Sequence, residues 1–241
     1  LKEQNATKVK AFSLALGSKD AQEGVVVFGG VDTSKFAGQL TQVPIIPASQ
    51  SPDGVPRFWV NMRSLAMTPP SGISKHYAGS EMPVFLDSGS TMTLLPPNLT
   101  EAIARDFGSK SEDAYGFHQV DCSLTKLNGT LDFYFDGVMI KVPYKELTRE
   151  VPTNPPACFL GIMASDQFTL LGDTFLRSAY GTFIHWAELH CKRCISAHCT
   201  LTSSLRSRNR FNMDDTSSQL RVNSSSPQER GGYPENHGPL C

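Results

Sequence analysis

No apolar run in this 241-residue chain approaches the roughly 20 residues that a bilayer-spanning helix needs, which excludes a helical membrane protein. Neither sign of charge is in excess: 22 Lys and Arg stand against 23 Asp and Glu, a formal net charge of −1. A nucleic-acid binder would show a basic surplus or a basic face, so that class loses its electrostatic support. The start at Leu1 has neither a Met nor the charged-then-apolar pattern of a secretory signal. A fragment or a processed chain is the expectation, carrying no targeting information of its own. No segment repeats, and the composition is too mixed for collagen, coiled coil or general disorder. None of the six histidines stands in a triad-like pattern with a nucleophile signature, so a serine or cysteine hydrolase has little support. What is present is 39% hydrophobic content, enough for one large or two small globular domains.

Cysteine divides the chain unevenly. Residues 1–180 hold only Cys122 and Cys158, whereas 181–241 hold Cys191, Cys194, Cys199 and Cys241. That last stretch has 13 Ser and Thr in 61 residues, with 7 basic and 5 acidic side chains. Such a segment buries too little to offset its ordering entropy, and past Trp186 it has hardly any strand pattern. The expectation is a folded unit over 1–180 and a divergent, disordered tail over 181–241.

The first region reads as β. Residues Val9 to Leu16 alternate, with the bulkier apolar set on one face. Val25 to Phe28, ended by Gly29-Gly30, predicts its antiparallel partner. Further strands are expected at Phe58–Val60, Val84–Leu86, Leu131–Phe135 and Met139–Val142; Asp136-Gly137 between the last two signals a hairpin. A helix is predicted from Pro97 to Phe107, capped by Asn98 with Glu101 three residues on, and ended by Gly108. Many short strands with one or two short helices argue an all-β domain.

The segment richest in chemistry is Val84-Phe85-Leu86-Asp87-Ser88-Gly89-Ser90-Thr91. An apolar strand runs straight into a carboxylate and then into hydroxyls around a glycine. Those hydroxyls can orient a carboxylate and tune its proton affinity. The purely structural alternative is an Asx-type turn in which Asp87 satisfies local N–H groups. For a bare Asp-Ser-Gly triplet that alternative would prevail.

Three further segments change the weighting. Gly29-Gly30-Val31-Asp32, followed by Lys35-Phe36 and Gly38-Gln39-Leu40, precedes the Asp87 loop; Leu94-Leu95-Pro96 follows it; Leu170-Leu171-Gly172-Asp173-Thr174-Phe175-Leu176-Arg177 comes later. In this order they resemble the C-terminal lobe of a pepsin-like aspartic protease of the fungal secreted or yapsin-like branch, over about 180 residues. The resemblance implies a six-stranded type of β barrel or sandwich, with a last apolar-Gly-Asp segment crossing behind the Asp87 loop. It implies Asp87 as one catalytic carboxylate of a pair, with Ser88, Gly89, Ser90 and Thr91 forming the loop beside the substrate backbone. It implies a Cys122–Cys158 disulfide, worth roughly 3–4 kcal/mol on the chain-entropy model, and hence an oxidising compartment. It implies aspartic-type endopeptidase activity on extended polypeptides at acidic pH, no metal or organic cofactor, and a secreted or vacuolar destination.

The resemblance is partial. The family's first Asp-Thr-Gly-Ser loop and its flap Tyr are absent, and no second Asp-(Ser/Thr)-Gly occurs. A partner must complete the pair: an N-terminal lobe of the same gene product or, with less support, a second copy presenting its own Asp87. The other reading is a catalytically inactive fragment or secreted binding protein that keeps the lobe. After Tyr180 the family's pattern of terminal strands is lost, so the lobe is expected to be incomplete at its C-terminal strands. His190, Cys191, Cys194, His198 and Cys199 have one C-x2-C spacing but no distant second ligand pair, so no metal site is assigned. Asn5, Asn98, Asn128 and Asn223 begin glycosylation sequons.

Overall fold

A computed structural model describes residues 6–7, 9–21, 23–109, 111–184 and 198–202. Short strands dominate and gather into four sheets, with one ten-residue helix, Pro97–Asp106, and two single-turn helices, Tyr144–Leu147 and Asp173–Leu176. The all-β expectation therefore holds.

The first sheet runs in the order Val25–Phe28, Ala11–Ala15, Tyr180–Ile184, His198–Thr202, Thr41–Pro44. The expected pair of Ala11–Ala15 with Val25–Phe28 forms, antiparallel, with Phe12 opposite Phe28. The other side of Ala11–Ala15 is taken by Tyr180–Ile184. With neighbours on both edges, even the polar Ser13 is fully buried; its hydroxyl donates to Gly30 O at 2.7 Å and lies 2.9 Å from Thr182 Oγ1. Phe12 stacks on Phe183 at 4.9 Å, and Phe58 meets Phe183 edge-on at 4.9 Å.

The ordered sheet passes Tyr180 and runs to Ile184, and a further strand, His198–Thr202, lies in the segment where no strand pattern was expected. His198–Thr202 pairs with Tyr180–Ile184 on one side and Thr41–Pro44 on the other. A five-residue strand inserted between two others draws its stability from their backbone groups, which a local pattern does not reveal. Residues 185–197 and 203–241, with His190, Cys191, Cys194, Cys241 and Asn223, lie outside the described residues, as does Asn5.

The Asp136-Gly137 hairpin joins Thr130–Phe135 to Val138–Pro143, with Gly137 at φ 81°. A positive φ of that size is why glycine stands there. This hairpin, Ser64–Thr68 and Lys75–Tyr77 form the second sheet. A small sheet of Thr148–Val151, Ala157–Leu160, His118–Val120 and Ser111–Glu112 is tied by the disulfide Cys122–Cys158, with a Cα–Cα distance of 5.2 Å. The fourth sheet carries the Asp87 loop. One continuous core, including Val60, Leu65, Leu131, Phe133 and Phe175, lies between the sheets. Each such side chain contributes about 1.5–3 kcal/mol by leaving water.

The helix starts at Pro97 as predicted, but Asn98 does not cap it. Pro96 occupies the cap position without a side-chain hydrogen bond, and Pro97 is the first helical residue. Proline has a preset φ and no N–H to satisfy, so Pro97 begins the helix without help from Asn98. Asn98 and Asn128 are exposed.

Candidate active site

The Asp87 loop is built by a crossing of backbone segments. The fourth sheet runs Ile162–Ala164, Thr93–Leu95, Leu170–Leu171, Met82–Leu86, Trp59–Met62. Met82–Leu86 enters the loop and Thr93–Leu95 leaves it, and Leu170–Leu171 lies between them, parallel to Phe85 and Leu86. Leu171 O accepts from Asp87 N at 3.1 Å, Ser90 O from Asp173 N at 2.8 Å, and Thr91 O from Thr174 N at 3.2 Å. The buried hydroxyls of Thr93 and Thr174 share a further bond at 3.0 Å. Both ends of the loop are therefore fixed from behind.

Gly172 makes the crossing possible. A Cβ at that position would stand 2.4 Å from both Ser90 O and Met92 O. No side chain fits there without moving one backbone from the other.

Within the loop, Asp87 Oδ1 accepts from Gly89 N at 2.9 Å and Oδ2 accepts from Ser90 Oγ at 2.7 Å. The first is the Asx-type contact of the structural alternative; the second occupies the other carboxylate oxygen as well. Asp87 is half-buried, while Ser88, Gly89 and Thr91 are exposed. The carboxylate is thus held in one orientation at the surface of the lobe, where another group can reach it.

Asp173 is a residue the sequence reading placed in the crossing segment but gave no electrostatic role. Burial pushes its carboxyl above the usual carboxylate range; Arg177, 3.6 Å away, pulls it down, and the charge of Asp87 pushes it up further. The Asp-Arg spacing of four within a short helical turn was the available signal; the neighbouring Asp87, remote in sequence, was not.

A cavity of about 610 Å³ opens beside the loop. Ser90, Thr91 and Met92 form its wall on the Asp87 side. Leu94, Phe117, Phe159 and Met163 make the rest largely apolar, with Tyr115, 81% exposed, at the mouth. Asp113 and Arg149 are the charged residues of the lining. No group of His, Cys, Asp and Glu able to hold a metal ion occurs among the described residues, and none of the described helices is long and apolar enough to cross a membrane.

This arrangement agrees with what sequence comparison returns. Residues 1–188 match the family model of eukaryotic aspartyl proteases. The chain belongs to that family. The acid protease of Saccharomycopsis fibuligera is 33% identical over 184 residues, covering 75% of this chain and 45% of that protein. Aspartic proteinase 3 of Saccharomyces cerevisiae is 33% identical over 184 residues, 75% of this chain and 32% of that protein. Candidapepsin-3 of Candida albicans is 36% identical over 188 residues, 75% of this chain and 43% of that protein. The aspartyl protease lobe thus spans between about a third and a half of the curated relatives it matches.

Proposed function

We propose that this chain is the C-terminal lobe of an aspartic-type endopeptidase and that Asp87 is one of its two catalytic carboxylates. The observation that carries the reading is the orientation of Asp87: both oxygens are hydrogen-bonded, yet the group faces outward beside a cavity large enough for a substrate side chain. Opposed to a second Asp, it would share one proton, because like charges that close cannot both ionise. The ionised member takes a proton from water as that water attacks the peptide carbonyl. The protonated member donates to the developing oxyanion, and proton return to nitrogen expels the amine. Ser90 and Gly89 hold Asp87 throughout, and Ser88 and Thr91 flank the bound backbone. No cofactor enters these steps.

The second carboxylate is assigned to an N-terminal lobe of the same gene product. Two observations support this. The matched relatives are two to three times as long as the matching region. The first sheet also ends in an edge strand, Val25–Phe28, with Val26 and Phe28 49% and 54% exposed. These two side chains continue the face of Leu14 and Phe12, their register partners, beyond the covered part of the sheet. An open, apolar edge is an invitation to strand pairing or lobe docking. A disulfide-bonded lobe whose relatives include proteins named as secreted proteases fits passage through the secretory pathway.

The test is cleavage of unstructured peptides near pH 3.5 by the polypeptide that contains both lobes, with and without pepstatin. Pepstatin-sensitive cleavage that vanishes in Asp87→Asn is the expected result. Cleavage that survives the substitution would refute the assignment.

A further inference from the structure

The cavity beside Asp87 holds a cation that nothing described in the lobe engages. Arg149 lies in the strand Thr148–Val151 directly opposite Phe159, so its side chain rises on the same face as that ring and lines the cavity. It is exposed, and its side chain has no hydrogen bond or ion pair among the described residues. Arg57, Arg63 and Arg177, by contrast, each hold a carboxylate. The neighbouring Glu150 points to the other face of the strand, opposite Cys158. The remaining charged residue of the lining, Asp113, is committed to its own loop: its Oδ1 accepts from the N–H groups of Tyr115 and Phe117, both at 2.9 Å. Two backbone dipoles aimed at one carboxylate offset its field in the cavity. The guanidinium has no such counterweight.

We propose that Arg149 is a specificity-determining residue that selects substrate side chains ending in a carboxylate, glutamate over its neutral isostere glutamine, in the cavity next to Asp87. The inference rests on the protease reading. Glutamate fits on two counts. Its methylenes can lie along the apolar wall of Met92, Phe159 and Met163, and its carboxylate can then meet the planar fork of the guanidinium, which matches two oxygens at once. Apolar walls also lower the local dielectric and strengthen that contact relative to water. A lysine in the same place would meet Arg149 as a like charge.

The experiment uses the two-lobe polypeptide and peptide sets carrying Glu, Gln or Lys in turn at each position flanking the scissile bond. It is run near pH 5, above the roughly 4.3 at which a free glutamate ionises. At one position kcat/KM for Glu should exceed that for Gln by about tenfold, the scale of one charge-assisted hydrogen bond. Arg149→Gln should bring that ratio to about one, and Arg149→Lys should retain part of it, since it keeps the charge without the fork. Equal cleavage of the Glu and Gln sets at every position by the unaltered enzyme overturns the proposal, as does a ratio that survives Arg149→Gln. Preference for Lys overturns it in favour of Asp113. Failure to cleave any peptide, by protein shown to be folded, overturns the protease reading itself and is distinct from the other outcomes.

Discussion

The sheet that carries Asp87 and the sheet that ends in Val25–Phe28 are finished to different degrees. Around Asp87 every backbone turn is fastened: a crossing strand lies between the two limbs of the loop, and four hydrogen bonds fix its back. At Val25–Phe28 the outer edge has no strand partner among the described residues, and two apolar side chains stand in water. The lesson is a division of labour. This lobe alone fixes the orientation of Asp87, as the proposed catalytic role requires, and leaves open an edge through which the proposed second lobe would dock.

Variants can break or sharpen that contrast. Asp87→Asn should lower peptide cleavage by the two-lobe polypeptide by about a thousandfold or more, because on the proposed reading it removes an acid–base group while leaving its loop in place. Comparing kcat with and without the substitution checks this. Removing the disulfide through Cys122→Ala and Cys158→Ala should cost roughly 3–4 kcal/mol for a 36-residue separation, read by denaturant unfolding. Gly172→Ala should cost about 3 kcal/mol, the upper range for overpacking, since the added methyl meets two carbonyl oxygens. A loss well under 1 kcal/mol would mean that the crossing segment slides freely, against the fastened picture.

At the open edge the effects should be of another kind. Phe28→Ser should change the stability of the isolated lobe by about 0.5 kcal/mol or less, as an exposed position does, yet weaken its association with an N-terminal lobe in sedimentation or titration experiments. The smallest effect is expected at Asp173. Burial first, then the charge of Asp87, raises its carboxyl above the ordinary value despite Arg177. A raised acid favours the folded state while protonated, and that contribution is lost as pH rises through the folded value. Asp173→Asn should therefore match the unaltered lobe below about pH 4 and gain stability over it at higher pH. Melting temperatures between pH 3 and 7 test the sign.

The Asp87 loop and the Asp136-Gly137 hairpin were legible because their chemistry is local: a carboxylate among small hydroxyls, and a dipeptide that fits a tight turn. The helix was legible as an element and at its start, Pro97, but not in its cap, which is Pro96 and not Asn98. His198–Thr202 was hidden because its neighbours define it. The cavity was hidden for the same reason on a larger scale: Met92, Phe117, Arg149 and Phe159 come from separate segments that only the folded sheets bring together. Gly172 lay in a recognised motif, but its need for a hydrogen in place of a side chain is a contact between chain segments and has no local signature.

The most direct measurement of the central claim is reconstitution. The purified lobe would be mixed with a separately produced N-terminal lobe and peptide cleavage followed at acidic pH. Activity in the mixture, absent from either component and abolished by Asp87→Asn, is the predicted result. Cleavage by this lobe alone, or an active mixture indifferent to Asp87, would contradict the account of a half-site completed by a partner.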